Sequence, residues 1–169
     1  NSRQYLSGFF IWTGFDYRGE PTPFAWPSVG TYFGMVDQCG FYKDSAWYLK
    51  AWWQNEPVLH ILPHWNWAGK ENQNIEVWAY SNCDEVELFL NKKSLGKQKM
   101  EKDGHLKWDV KYTPGTLEAI GFKNGKKTRT EVIKTTGEAS QLHLESNKNT
   151  LIGANDLAMI TVSSKDKNG

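Results

Sequence analysis

The sequence predicts a mainly β chain: an immunoglobulin-like β-sandwich, preceded by a βα unit and followed by the opening strands of a second sandwich. Three observations carry that expectation. Residues 57 to about 134 run through short alternating segments separated by turn signals. Residues 1 to about 55 contain an apolar run, a long Gly- and Pro-rich stretch and a helical pattern. Residues 138–169 hold two further strand-like runs behind a small, polar linker, "KTTGEAS".

The elements follow in order. "GFFIW", Gly8 to Trp12, is a short continuous apolar run of the kind buried on both faces of a parallel sheet. After the irregular stretch, "KDSAWYLKAWWQNEP" reads as a helix capped by Asp44 or Ser45, filled by Ala46 to Gln54, with Pro57 just beyond its end. A strand, a loop and a helix do not make a domain, so this unit is expected to be the last of something larger. Seven strands follow: "VLHILP", "NIEVWAYS", "EVELFLN", "KSLGKQKM", "HLKWDVKY", "TLEAIGFK" and "KKTRTEVIK". Asn91, Asp103-Gly104, Pro114-Gly115 and Asn124-Gly125 punctuate them, the last being a strong hairpin signal. There is no Cys-Trp-Cys framework, which separates the sandwich from antibody domains. "QLHLES" and "DLAMITVSS" are the strand-like runs of the third segment, 138–169, and the sandwich segment spans 57–136. Asn1 and the terminal Asn168-Gly169 both read as cut ends of a longer parent.

Composition narrows the function. The chain of 169 residues is 39% hydrophobic with a net charge of +1, and no apolar run approaches the roughly 20 residues of a membrane span. Residues 92–134 carry 12 basic and 5 acidic side chains, which raises nucleic acid as a partner. However, Lys107 and Lys111 alternate with Leu106, Trp108 and Val110, the pattern of a strand with one wet face, and nucleic acid is set aside. Cys39 and Cys83 lack metal or disulfide spacing. His60 and His64 have i, i+4 spacing, but Pro63 breaks any helix between them, so no metal and no cofactor is expected.

Five tryptophans fall in the first 55 residues: Trp12, Trp26, Trp47, Trp52 and Trp53. Trp12 closes the apolar run, and Asp16, Tyr17, Arg18 and Glu20 follow it into the loop. Aromatic faces beside carboxylates suit sugars, whose C–H faces stack on rings while their hydroxyls bond acidic groups. Core packing of the same rings is the competing expectation.

"GFFIWTGFDYRGEPTPFAWPSVGTYFGMVDQCGFYKDSAWYLKAWW" resembles the end of the catalytic barrel of glycoside hydrolase family 2 enzymes of the β-galactosidase type. In that family the eighth strand ends in the Trp of an F-x-W-T-G-x-D-Y-x-G-E-P-T-P motif. "VLHILPHWNWAGKENQNIEVWAYSNCDEVELFLNKKSLGKQKM" resembles the sandwich that follows the barrel, and Ser140 to Gly169 look like the start of the next immunoglobulin-like domain.

The resemblance makes residues 1–55 the C-terminal end of a (β/α)8 barrel. It implies substrate-binding roles for Trp12 and Asp16, with Glu20 and Trp26 as motif members. Phe33 falls near a position where some relatives supply an asparagine to a sodium site, which a phenylalanine side chain cannot do. No catalytic residue is expected in this chain: the family's two glutamates lie on earlier strands, and Asp16 with Glu20 share one loop that does not make a dyad. The implied partner of the parent is a carbohydrate, a β-galactoside first with β-glucuronide or β-mannoside as alternatives, and a periplasmic or secreted location follows from the resemblance. A different function class is a carbohydrate-binding module, with Trp65 and Trp67 two apart on one strand face as a sugar platform; packing of these rings is the alternative. A structural immunoglobulin-like protein fits residues 57–169 and leaves the first 55 unexplained.

Overall fold

Alternation with a period of two lets each strand bury one face, and the computed structural model, which describes Tyr5 and residues 7–169, shows where those faces meet. The helix α1 spans Asp44–Trp53. Seven strands follow: β1 Leu59–Leu62, β2 Asn74–Ser81, β3 Glu85–Leu90, β4 Lys93–Lys99, β5 Leu106–Lys111, β6 Thr116–Lys123 and β7 Lys126–Lys134. The last two strands are β8 Gln141–Ser146 and β9 Ile160–Lys165. All seven strands read from the sandwich segment are present, each within two residues of the expected bounds.

They form two antiparallel sheets of order β1-β2-β5 and β4-β3-β6-β7. The chain changes sheet after β2, after β4 and again after β5, the over-and-back path of an immunoglobulin-like sandwich. Ile61, Val77, Ala79, Trp108 and Val110 from the smaller sheet face Val86, Leu88, Leu117 and Ala119 from the larger one. The β3–β4 turn is fixed by Asn91 and Lys92, both with positive φ, and the Asn91 carboxamide accepts from Thr116 N at 2.8 Å and donates to Pro114 O at 3.2 Å. A Cβ on Gly115 would stand 1.9 Å from Asn91 Oδ1, so only glycine lets this turn close on its neighbour. Asn124 and Gly125, with φ of 51° and 72°, make the expected tight hairpin between β6 and β7.

Trp65 corrects the sugar-platform expectation. Trp65 and Trp67 lie in an irregular segment, so the alternation that would have put both on one face does not apply. Trp65 is 1% exposed, packs edge-on against Tyr112 with centroids 5.2 Å apart, and donates its indole N–H to Thr113 O at 3.1 Å. Trp67 is half-buried, stacked on His64, with Lys70 Nζ 4.5 Å from its ring centroid. The pair therefore closes the end of the sandwich's own core.

Helix α1 lies on the outer face of the smaller sheet. Trp47 stacks on His60, Tyr48 meets Tyr80 edge-on, and Trp52 Nε1 donates to Gly104 O at 3.3 Å. The N-cap is Lys43, which makes no side-chain capping bond; Asp44, expected as a cap, turns its carboxylate to His60 Nε2 at 2.8 Å. Asn82 stitches the helix exit to the sandwich, accepting from Val58 N and donating to the carbonyls of Gln54 and Glu56.

Beyond β7, Thr135 Oγ1 donates to Trp65 O at 2.6 Å and Thr136 N to Asn66 Oδ1 at 2.7 Å. Gly137 N then donates to Asp166 Oδ2 at 2.7 Å, and Ser140 N to Lys165 O at 2.9 Å. Strands β8 and β9 pair as an antiparallel ribbon that puts Leu142, Leu144, Ile160 and Val162 on one exposed face.

Candidate functional site

Residues 13–43 have little regular structure, and a scaffold of hydrogen bonds replaces it. Phe15 forms a parallel bridge with Val36, through Val36 N to Gly14 O and Asp16 N to Val36 O, at 2.9 and 2.8 Å. Tyr17 and Thr31 bond reciprocally: Thr31 N donates to Tyr17 O at 2.8 Å, and Tyr17 N to Thr31 Oγ1 at 2.9 Å. Lys43 N donates to Met35 O at 3.0 Å, which hands the loop to α1. Asp37 Oδ1 accepts from Cys39 N and Phe41 N and folds the turn that precedes the helix.

Asp16, expected to contact substrate, is instead the centre of this scaffold. Its side chain is 7% exposed, with Oδ2 2.6 Å from Lys43 Nζ and Oδ1 accepting from Gly34 N at 2.7 Å. The bond from Lys43 holds its carboxyl below the usual carboxylate range; burial opposes this, and the Gly34 N–H reinforces it. Both carboxylate oxygens are thus engaged inside the protein, where they shape the loop. Gly34 is what permits the approach, since a Cβ there would lie 2.4 Å from Asp16 N. Lys43 was not singled out by the sequence reading, although it is the one basic residue between Arg18 and Lys50.

Trp12, at the entry to the loop, is 75% exposed. Beyond it the Tyr17 hydroxyl donates to the Glu20 carboxylate. That bond pushes the Tyr17 hydroxyl above its ordinary pKa, while Trp12 acts in the opposite sense. Phe33, near the position considered for an ion ligand, packs edge-on against Tyr17 at 6.1 Å. Trp26 is exposed, and Phe24 meets Tyr32 edge-on at 4.9 Å. The loop thus offers exposed rings and one Tyr17–Glu20 hydrogen bond, groups of the kind that stack on a sugar's C–H face and bond a hydroxyl. Asp16 pairs with Lys43 and Glu20 with the Tyr17 hydroxyl.

The apolar run before these rings lies outside any sheet of the described residues. Phe9 and Phe10 are exposed, and Phe9 to Trp12 form no strand. A run buried on both faces needs a strand on each side and a layer above and below, and the described residues provide none of these. Among the described residues no group of three His, Cys, Asp or Glu side chains is placed to hold a metal. Among the described residues no helix is long and apolar enough to cross a membrane.

Comparison with known proteins gives this geometry a context. Residues 72–129 match a family described as a domain of unknown function, DUF4982. The chain is 42% identical over 168 residues to the β-galactosidase BoGH2A of Bacteroides ovatus, covering 98% of this chain and 20% of that protein. A putative β-glucuronidase of Formosa agariphila is also 42% identical, over 80% of this chain and 14% of its own length. Among solved structures, a β-glycosidase from Bacteroides vulgatus superposes with a TM-score of 0.89 at 38% identity, covering 95% of this chain and 20% of that one. A glycosyl hydrolase family 2 member from Bacteroides cellulosilyticus does so with a TM-score of 0.85 at 30% identity, covering 95% and 26%. The chain thus spans about a fifth of the length of the curated β-galactosidase it matches. By sequence and by fold the chain is similar to a segment of these β-galactosidase and glycosyl hydrolase family 2 proteins.

Proposed function

We propose that this chain is a segment of a retaining glycoside hydrolase that removes terminal β-linked sugars, β-galactose first, with the carboxyl groups that cleave the bond lying outside these 169 residues. In that reading residues 1–55 are the end of a catalytic barrel and Trp12 stacks on the bound sugar. Tyr17 and Glu20 bond one of its hydroxyls, and Asp16 with Lys43 holds the loop that carries them. The observation that carries the reading is the exposed Trp12 indole beside a loop whose Tyr17 hydroxyl bonds the Glu20 carboxylate, set in a sequence 42% identical to a β-galactosidase over 98% of this chain. The equally identical β-glucuronidase supports a β-glucuronide as the second substrate. A retaining mechanism requires a nucleophile and an acid/base about 5 to 5.5 Å apart. In this reading Asp16 and Glu20, bonded to Lys43 and Tyr17 in turn, hold the loop, and the pair lies elsewhere in the parent.

The test is turnover of chromogenic β-galactoside, β-glucuronide and β-mannoside by the parent protein and by the 169-residue chain. The parent is expected to cleave the β-galactoside fastest and the chain alone to cleave none. In the parent, Trp12→Ala is expected to lower kcat/KM by about tenfold or more, the loss of one ring-to-sugar contact. Turnover by the chain alone would overturn the division of labour, and an unchanged kcat/KM would remove Trp12 from the sugar pocket.

A further inference from the structure

The joint between α1 and the sandwich contains a charged cluster that the proposed sugar pocket does not use. His60 projects from β1 with its ring 16% exposed, and both ring nitrogens face carboxylates. Nε2 is 2.8 Å from Asp44 Oδ1 on α1, and Nδ1 is 3.1 Å from Glu131 Oε1 on β7. A neutral imidazole has one N–H donor and one lone pair, whereas a carboxylate only accepts. Both contacts are hydrogen bonds only when the ring carries two protons; with one, a nitrogen lone pair is pressed against a carboxylate oxygen.

Two further features favour the doubly protonated ring. Trp47 of α1 stacks on it, with planes 13° apart and centroids separated by 5.0 Å, offering a π face to a cation. Glu131 Oε2 is buried without a hydrogen-bond partner among the described residues, so the cation beside Oε1 is what offsets that carboxylate's burial.

We infer that Asp44, His60 and Glu131 form a pH-dependent clasp that fastens α1 to the sandwich, closed when the imidazole holds both protons and loosened when it loses one. Three elements meet there, so one proton acts on the packing of a helix against two sheets. The other groups facing the ring do not switch in the same range. Tyr80, opposite His60 on β2, is held above its ordinary pKa by burial and by the charge of Asp44. Lys50 of α1 lies 4.7 Å from the Trp47 ring centroid, and it lines a cleft of about 300 Å³ beside Glu131 together with Glu56 and Arg129. Lysine and arginine stay charged below about pH 9, which leaves histidine as the group that changes near neutrality.

The direction of the effect follows from linkage. Burial works against the charged ring, but the bonds from Glu131 and Asp44 outweigh it and raise the His60 pKa above its ordinary value. The clasp's contribution is therefore fully present below the unfolded-state pKa and is lost as pH rises through the folded-state one.

The experiment is ring nitrogen NMR of the full 169-residue chain with labelled histidine, titrated from about pH 5 to pH 9. Hydrogen exchange of the α1 amides, corrected for its intrinsic pH dependence, is followed in the same samples. His60 is identified among the four histidines by its absence in His60→Gln. The ring is expected to keep both N–H protons to a pH above the ordinary histidine value, and Glu131→Gln to lower that pH. Exchange from α1 is expected to accelerate as the ring deprotonates, by up to about tenfold for each unit of elevation. A His60 ring that titrates at or below about 6.5 overturns the clasp, and so does an α1 exchange profile that is the same in wild type and Glu131→Gln. The wild-type titration decides the matter alone where a variant does not fold.

Discussion

Asp16 and Trp12 are four positions apart on one loop and do opposite work, one turned inward and the other outward. Position alone made both candidates for sugar contact, because a carboxylate and an indole beside a strand end suit that chemistry. What the sequence does not carry is the partner: Lys43 is 27 positions downstream of Asp16 with no periodic signal joining them, and Gly34 N–H is a backbone group that no residue type announces. The Asp16 carboxyl is lowered in the folded loop, so its contribution to stability is present above the unfolded value of 3.8 and is lost as pH falls through the folded one. Acidification below about pH 4 is accordingly expected to release the loop from α1 in wild type. Asp16→Asn should show a weaker loop at neutral pH and a smaller further loss on acidification. Limited proteolysis between residues 13 and 43 across that range is the check, and equal acid sensitivity in the two proteins would refute the assignment.

At the level of elements, the sandwich strands were legible because each buries one face and turns at residues with a physical reason to turn. Leu106, Trp108 and Val110 face the core while Lys107, Asp109 and Lys111 face water, and Asn124-Gly125 reverses the chain. The basic excess of residues 92–134 lies largely on such wet faces and turns, in keeping with the solvated reading. Legibility failed where no period exists. Trp65 sits in an irregular segment, and its burial depends on Tyr112, Thr113 and Thr135, all more than 40 residues away. Trp65→Ala is expected to destabilise the sandwich by about 3 to 5 kcal/mol through the lost ring volume and the unpartnered Thr113 carbonyl, while Trp67→Ala costs less. Urea denaturation of both variants checks this, and equal losses would mean that Trp65 is not the core anchor described here. The apolar run Phe9 to Trp12 is a different case: its composition specifies burial on both faces, and burial requires neighbours that these described residues do not include.

Across the whole molecule, apolar burial is concentrated in the sandwich. The core cluster runs from Leu59 to Ala119 and draws on both sheets, whereas the rings of the first 33 residues and the apolar face of the β8–β9 ribbon stand in solvent. Such faces call for partners. A chain of residues 57–136 is therefore expected to unfold as one cooperative unit, with the same midpoint by fluorescence and circular dichroism. Two separated transitions, or none, would show that α1 or the ribbon is integral to the core.

The segment "KTTGEAS" has the composition of a flexible tether, yet Thr135 and Thr136 are fastened to Trp65 and Asn66, Gly137 to Asp166, and Ser140 to Lys165. Thr136, the last residue tied to the sandwich, is joined directly to Gly137, the first tied to the ribbon, while Glu138 and Ala139 lie between two points that are both on the ribbon. Mechanically that is a pivot and not a leash: it admits a change of angle between sandwich and ribbon, and it transmits a pull on one to the other with almost no slack.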